Sequence, residues 1–370
     1  MKTAPRALLL AAVLIGLLPV GCEPSRPEAP RVIPPGGNPQ HTGTYETEPL
    51  HSVGGLRWTF DTVGDASGTV VVDDGVAYVG CSKGFLYAVD FDSGAEIWRF
   101  SAGRKLYNAP TLVGGRAYVG SSDGNVYAVD VETGREIWRF ETGGGVCSPP
   151  AVHRNVAYAG SHDRFLYLID VETGEEVDKI EHKYDLCSSP TTTRNLLFYP
   201  DWGGNLHALD TATRERLWTF EVHRPAKWFT APSLADGVAY HVKFDNVLHA
   251  IDVESGGEIW TFRADGTLSR APAIKGGVLV LSTVGSRLYA LRADTGEEIW
   301  SFEASGPGYA QPAIAGDTVY FGSGDGELYA LNLETGEERW RFAVESPVGT
   351  PVPYRDTVLF TSGKALLAVE

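Results

Sequence analysis

Two cysteines separated by 40 residues offer the widest choice of chemistry in this chain. Cys147 and Cys187 each precede a short apolar segment, at the same place in successive sequence units. In an exported protein such a pair can form a disulfide, if the Cα atoms come within about 7 Å, or supply thiolates to a metal ion. Two small buried thiols are the first interpretation, a disulfide is the second and a metal site the least favoured. The sequence therefore predicts no metal site.

The other titratable side chains show no catalytic arrangement. Histidines such as His162 and His182 are scattered through different segments, and His207 stands where other units have tyrosine, which favours a packing role. No Ser-His-Asp set, phosphate-binding loop or zinc-finger spacing stands out. Carboxylates such as Asp90 and Asp130 recur at the same position of successive units, which is typical of turn-forming residues rather than of a single active site. We predict no catalytic residue.

The elements that must position these side chains form an internal repeat. Tryptophans recur at steps of 40, 40, 80, 42, 40 and 40 residues, and Asp178 takes the tryptophan position in the middle of the double step. These repeat tryptophans are Trp58, Trp98, Trp138, Trp218, Trp260, Trp300 and Trp340. We expect each indole ring to bury on the order of 150–250 Å² at a seam between neighbouring units, with its N–H bonded to an adjacent turn.

Each unit contains the pattern of four short antiparallel strands. In residues 109–140, apolar and polar residues alternate in four runs separated by turns rich in Gly, Asp and Asn, without helical periodicity. Four such strands in about 40 residues are typical of a β-propeller blade. A third-strand signature such as VYAVD at 126–130 occurs eight times, and the last unit has no fourth strand after it.

The start of the repeat region supplies the strand that the last unit lacks. Residues 55–60, GLRWTF, have the pattern of a fourth strand. We therefore predict an all-β, eight-bladed β-propeller over residues 55–370, in which this N-terminal strand completes the last blade and leaves no open sheet edge. We expect the propeller to be monomeric.

Charge and the N-terminal segment indicate an exported protein. The formal net charge of −16 disfavours nucleic acid as a partner, because it repels phosphate backbones. A cationic start and a short apolar run end at Gly21 and Cys22, and this resembles the signal of bacterial lipoproteins. We predict a signal peptide over 1–21, lipidation at Cys22 and an extended Pro-rich tether over 22–54. An ordinary secretory signal is the alternative.

A motif within each unit carries a family resemblance. In one unit it consists of Ala128, Asp130, Thr133, Gly134, Glu136 and Trp138. This spacing resembles the tryptophan-docking motif of the pyrroloquinoline-quinone (PQQ) repeat family, and the match covers nearly all of residues 55–370. The family includes quinoprotein dehydrogenases, which bind PQQ and calcium in the central channel. It also includes BamB-type lipoproteins, which bind no cofactor and serve as scaffolds in the barrel-assembly machine of the outer membrane.

Two features favour the scaffold class. The resemblance implies that a quinoprotein dehydrogenase would have insertions between its units and commonly two adjacent cysteines against the quinone. Here the units keep a step of about 40 residues almost without insertion, and the chain has no adjacent Cys-Cys pair. The resemblance thus implies a non-enzymatic scaffold without cofactor, lipid-anchored in the cell envelope at the periplasmic side of the outer membrane, with a membrane-associated protein as partner. A periplasmic oxidoreductase that depends on PQQ and calcium is one alternative, and a surface ligand-binding lipoprotein is another.

Residues 181–230 depart most from the repeat. The loop at 221–230 is two residues longer than its counterparts, and Trp202 and Trp228 lie outside the repeat positions. Aromatic and arginine side chains carry much of the binding energy at protein interfaces. We therefore predict a partner-binding patch that consists of Tyr184, Leu186, Trp202, Arg224, Lys227 and Trp228. The alternative is that these side chains only close the mouth of the channel.

Overall fold

The computed structural model describes residues 31–38, 40–222, 230–242, 246–268, 270–308 and 310–370. In these ranges the chain is all-β, and its strands form eight sheets of four or five strands. Around most of the ring, the first strand of one sheet contacts the first strand of the next, so these strands line a central channel. The predicted eight-bladed propeller is confirmed. No helix of the described ranges has the length and apolar character that a membrane span requires.

Each blade is an antiparallel meander whose strands run in order from the channel outwards. Blades 1 to 4 consist of Ala66–Asp73, Val76–Cys81, Phe85–Asp90 and Glu96–Ser101; Thr111–Val113, Arg116–Gly120, Asn125–Asp130 and Glu136–Glu141; Ala151–His153, Val156–Gly160, Phe165–Asp170 and Glu176–Glu181; and Thr191–Thr193, Leu196–Pro200, Leu206–Asp210 and Arg216–Phe220. Blades 5 to 8 consist of Ser233–Ala235, Val238–Val242, Val247–Asp252 and Glu258–Arg263; Ala273–Lys275, Val278–Ser282, Arg287–Arg292 and Glu298–Glu303; Ala313–Ala315, Thr318–Gly322, Glu327–Asn332 and Glu338–Ala343; and Val352–Tyr354, Thr357–Ser362, Ala365–Val369 and Leu56–Asp61.

The ring closes through the N-terminal strand, as the sequence predicts. Leu56–Asp61 pairs antiparallel with Ala365–Val369, and Trp58 lies opposite Ala368. Blade 8 therefore has four strands from two distant parts of the chain. Its third strand, Ala365–Val369, is paired along both edges.

The repeat tryptophans connect neighbouring blades at seven of the eight seams. The Trp138 indole N–H donates to the Val171 carbonyl at 3.0 Å, and the other six repeat tryptophans make the same bond to a carbonyl at 2.8–3.2 Å. The acceptor lies 33 positions later in most blades and 35 later for Trp218. Trp340 instead donates to the carbonyl of Leu50, which lies before the first blade. The N-terminal segment thus takes part in the last seam.

In all repeated turns but one, a glycine lies against the indole ring of the preceding blade. A Cβ atom added at Gly174 would come within 2.7 Å of the Trp138 ring, and equivalent glycines lie against five of the other six rings, all except Trp340. The one turn without this glycine has Arg214, and the facing position in blade 3 is Asp178 instead of tryptophan. The two side chains form an ion pair at 3.4 Å. The glycine and the tryptophan are therefore replaced together, because a side chain and the ring need the same space.

The segment before the first blade crosses the central channel. Val32–Ile33 extends the inner edge of blade 2, and Thr44–Tyr45 adds a parallel strand to blade 7. Between them, the carbonyls of Gln40 and Thr42 accept hydrogen bonds from the inner strands of blades 5 and 6 at 2.9 and 2.7 Å.

This arrangement corrects the predicted boundary between tether and propeller. The compact unit begins at Arg31 rather than at Gly55, so residues 31–54 belong to the propeller. The sequence does not show this because the segment has no apolar periodicity of its own, and its hydrogen-bond partners come from blades far away in the chain. Lipidation at Cys22 and the predicted signal peptide lie outside the described residues.

We expect Gly174→Ala to lower the free energy of unfolding by about 1–3 kcal/mol more than Gly237→Ala does, because overpacking of a dense site has costs of this size. Both glycines have a positive φ, 74° and 81°, so both variants share the same backbone strain. Only the new Cβ at position 174 meets the Trp138 ring, since no atom lies within 4 Å of the one at position 237. Urea unfolding followed by circular dichroism measures both. Equal losses in the two variants would contradict the packing argument.

Candidate functional site at the loop end of the propeller

The two ends of the propeller have different connections. At one end, the turn after the second strand of a blade bonds to the connection that enters that blade, as when the Trp202 N–H donates to the Asp185 carbonyl at 2.9 Å. We call this the loop end. At the opposite turn end, the turn between the first two strands bonds to the turn after the third, as when the Val131 N–H donates to the Gly115 carbonyl at 3.1 Å.

A cluster of two cysteines and a histidine lies at the loop end of blades 3 and 4. Cys147 and Cys187, on the connections into these blades, are linked as a disulfide with Cα atoms 5.2 Å apart. The His162 Nε2 atom lies 2.9 Å from the Cys147 sulfur and 3.4 Å from the Cys187 sulfur. The other ring nitrogen, Nδ1, lies 3.2 Å from a carboxylate oxygen of Asp185. The structure thus has the second of the three arrangements that the sequence leaves open for the cysteines.

A buried polar network lies beside this cluster in blade 4. The His207 Nε2 atom lies 2.9 Å from Asp201 Oδ2, and its Nδ1 atom lies 2.9 Å from Thr219 Oγ1. The rings of His207 and His182 are 4.8 Å apart, and Tyr199 Oη lies 3.3 Å from His182 Nε2. His207 therefore has a polar role beside the packing role of a tyrosine, because its ring forms hydrogen bonds with the buried Asp201 carboxylate and with Thr219.

Burial and hydrogen bonds shift the pKa values of two side chains in this network, His182 and Asp201. Burial, and next the neighbouring His207, lower the pKa of His182 to about 4, so this ring is neutral at pH 7. Burial would raise the pKa of Asp201, but hydrogen bonds from His207 and Asn205 outweigh it and lower the pKa overall. Both side chains are almost fully buried, which favours a structural role under the loop end over proton transfer to a substrate.

The structure brings together only part of the predicted partner-binding patch. Tyr184 and Trp202 are half-buried at the loop end, where the Gly203 backbone lies against the Tyr184 ring. Lys183 Nζ lies 5.0 Å from the centre of that ring. Leu186 is buried, with 2% of its surface exposed, and packs in the core between blades 3 and 4, so it is removed from the patch. The other three predicted members, Arg224, Lys227 and Trp228, lie outside the described residues.

Sequence reasoning did not join His162 to the cysteines. The signal that was available is the register of the repeat, since the second turn of a blade meets the connection into that blade in blades 1–4, 6 and 7. The Trp202 ring adds an edge-on contact to His162, with ring centres 4.8 Å apart. The cluster and the aromatic part of the patch therefore form one continuous site at blades 3 and 4.

The channel mouth at the loop end encloses a cavity of about 120 Å³. Its polar lining comes from several blades and includes Thr69, Asn108, Ser148, Ser188, Arg270, Gln311 and Thr350, and His41 of the N-terminal segment also contributes. Sites for cofactor-sized ligands measure about 300–1,000 Å³. Pro35 and His41 of the N-terminal segment take up part of this space.

The described residues do not fit a calcium-bound PQQ. Calcium takes six to eight oxygen ligands. Among the described residues, the one cluster of three or more potential metal ligands is that of Cys147, His162 and Cys187, which offers sulfur and nitrogen. The loop-end cavity is thus smaller than a quinone site, and the described residues contain no cluster of three carboxylates that could hold calcium.

Comparison with known proteins gives a family match and fold likenesses. The family model described as outer membrane protein assembly factor BamB matches residues 51–184, 123–235 and 202–370. BamB from Moraxella catarrhalis is 16% identical, with a TM-score of 0.71 over 85% of this chain and 99% of that chain. Quinohemoprotein alcohol dehydrogenase from Comamonas testosteroni is also 16% identical, with a TM-score of 0.79 over 91% of this chain and 80% of that chain.

A computationally designed protein, Ika8, is equally similar, at 16% identity and a TM-score of 0.77 over 85% of this chain and 99% of that chain. No curated protein matches the chain. At such identities the likenesses establish the fold alone, because a scaffold, an enzyme and a designed protein share it. The family model is the finding that separates this chain from propellers in general.

We expect the protein to lose stability as the pH falls from 6.5 to 4, and His182→Gln to lose less. The pKa of His182 falls from 6.5 to about 4 on folding, so in this window only the unfolded chain takes up the proton. The stability from this group is complete above pH 6.5 and decreases towards pH 4. Urea unfolding at several pH values measures the slope, which should fall by up to about one proton in the variant. His51→Gln, at an exposed histidine, is the control; an unchanged slope in His182→Gln would contradict a buried neutral ring.

Proposed function

Because the chain belongs to the family of the outer membrane protein assembly factor BamB, we propose that it is a non-enzymatic, lipid-anchored binding propeller in outer-membrane protein assembly. The observation that carries this proposal is the family match, which extends over residues 51–184, 123–235 and 202–370 and so includes all eight blades. The filled channel supports it, since a propeller whose axis is occupied by its own chain offers its outer surfaces for binding.

The rigidity of the ring explains how such a protein works. Indole bonds at the turn end connect the blades at seven of the eight seams, and the Cys147–Cys187 link joins the loop-end connections into blades 3 and 4, so a partner that binds there meets a preformed surface. Tyr184 and Trp202 provide half-buried aromatic side chains, the type that carries interface energy. A lipid at Cys22 keeps the propeller close to the membrane, which raises its effective concentration near a membrane-embedded partner.

The two alternative functions have less support. The quinohemoprotein enzyme shares the fold at 16% identity, but the loop-end cavity of about 120 Å³ is smaller than such a cofactor site, and the described residues contain no cluster of three carboxylates for calcium. A surface lipoprotein for small ligands would need a larger cavity than the one at the loop end; the described residues have one of about 760 Å³ between the N-terminal segment and blades 1 and 8, but no family match points to a ligand there. We therefore propose that the protein acts without a cofactor.

We expect Cys22→Ala to release the protein from the membrane. Without the thiol no lipid can be attached, and the propeller alone has no predicted membrane affinity. Cell fractionation and metabolic labelling with a palmitate analogue measure this. Cys81→Ser, at a buried cysteine of blade 1, is the matched control and should stay labelled and membrane-bound. If Cys22→Ala remains labelled, the predicted lipid anchor is wrong. The proposed scaffold function does not depend on this result and is tested by the next experiment.

We expect a photo-crosslinking amino acid at position 184 to capture a component of the barrel-assembly machinery in cells. The same probe at position 213, an exposed residue of the turn end, is the control for random contact. Loss of the protein should also lower the amounts of β-barrel proteins in the outer membrane, and Trp202→Ala should restore them less well than Thr213→Ala. Normal β-barrel levels in the absence of the protein, measured by quantitative proteomics, would contradict the proposed function.

A further inference from the structure

We propose that Cys147, Cys187 and His162 bind a thiophilic cation, Zn²⁺ or Cu⁺, when the two cysteines are reduced. One potential ligand atom from each residue lies within 4.8 Å of the other two, which is the spacing that a shared ion requires. The site is independent of the proposed scaffold function, because it rests on the side chains of blades 3 and 4 alone.

The backbone holds the two cysteines in place from separate directions. Cys147 follows Val146, whose N–H donates to the Ser121 carbonyl at 3.0 Å. Cys187 follows Leu186, whose N–H donates to the Ser161 carbonyl at 3.1 Å. These bonds belong to the pattern that joins turn and connection around the loop end, so the ligand positions are fixed before an ion binds. Such preorganisation favours binding.

His162 has the orientation that a metal ligand needs. Its backbone is fixed at the loop end, since the His162 backbone N–H donates to the Gly145 carbonyl at 3.0 Å. In the tautomer that carries its proton on Nδ1, this N–H donates to Asp185 Oδ2 at 3.2 Å, which leaves the lone pair of Nε2 directed at the two sulfur atoms. A carboxylate behind a histidine ligand is the usual outer partner in protein metal sites.

The ligand atoms select the cation. Two thiolates and one imidazole favour the soft or borderline ions Zn²⁺ and Cu⁺ over Mg²⁺ and Ca²⁺, which take oxygen ligands. Zinc–sulfur bonds of about 2.3 Å in a tetrahedral site place the sulfur atoms about 3.7 Å apart. Cα atoms 5.2 Å apart allow this by rotation of the cysteine side chains without movement of the backbone. Water can take the fourth position on Zn²⁺, because the side chains of His162 and Asp185 are 29% and 34% exposed.

The disulfide and the metal complex exclude each other. A dithiol reductant supplies two electrons and two protons to the S–S bond, which breaks into two thiols while the reductant becomes a disulfide. The thiols then lose two protons when their sulfur atoms bind the ion. Oxidation therefore removes the ligands, and a bound ion protects the thiols.

The test uses Co²⁺ as a spectroscopic substitute for Zn²⁺. The purified protein is reduced with a phosphine under argon and titrated with Co²⁺. We expect a thiolate-to-cobalt charge-transfer band that saturates at one equivalent, and its loss on addition of one equivalent of Zn²⁺ or Cu⁺. The oxidised protein should give no such band. Cys81→Ser is the matched control and should give the full band, because Cys81 is a buried cysteine of blade 1.

Variants of the ligands assign the site. Cys147→Ser and Cys187→Ser should each lose most of the band, and His162→Gln should bind Co²⁺ far more weakly. Asp185→Asn should keep the band but lower the affinity about 10- to 100-fold, as expected for an outer partner. Circular dichroism checks that each variant is folded. The proposal is overturned if the reduced wild type gives no charge-transfer band, or if a folded Cys147→Ser variant binds Co²⁺ as tightly as the wild type.

Discussion

The bond between an indole N–H and a carbonyl of the next blade is the interaction on which the rest of this structure depends. A four-stranded sheet of short strands cannot bury both of its faces alone, so each blade needs its neighbours. The tryptophan fills the seam and satisfies its polar atom in one step, as Trp138 does with the Val171 carbonyl at 3.0 Å. The glycine of the facing turn completes the seam, because only the absence of a side chain lets the backbone approach the ring. These contacts lie at the turn end and hold the blades together at seven of the eight seams.

The seam between blades 3 and 4 lacks this interaction, and the candidate site lies there. Asp178 and Arg214 form an ion pair in place of the ring and the glycine, but their side chains are 44% and 41% exposed. Such pairs contribute about 0–1 kcal/mol, less than a buried aromatic ring. The link between Cys147 and Cys187 joins the connections into the same two blades at the loop end. This covalent link holds together a seam that has lost its indole, which connects the local chemistry to the architecture.

The N-terminal segment gives the channel its character. By crossing from blade 2 to blade 7 it provides backbone partners to the inner strands, and by supplying the Leu50 carbonyl it completes the last tryptophan seam. It also reduces the cavity at the loop end to about 120 Å³. The same segment therefore stabilises the ring and lines the cavity at the loop end through Pro35 and His41.

The sequence by itself determined the number of blades, the order of strands and the closure by residues 55–60, because these follow from a period of about 40 residues and from turn residues that act locally. It also determined where the repeat breaks, since Asp178 and Trp202 stand out against the other units. Only the tertiary structure decided that residues 31–54 belong to the propeller, that Leu186 is buried, and that His162 lies between two cysteines 15 and 25 positions away. The physical reason is that these contacts join segments that are distant in the sequence and whose own residue patterns do not indicate their partners. A strand pattern shows which side chains face inwards, but the packing of one blade on another decides which side chains meet.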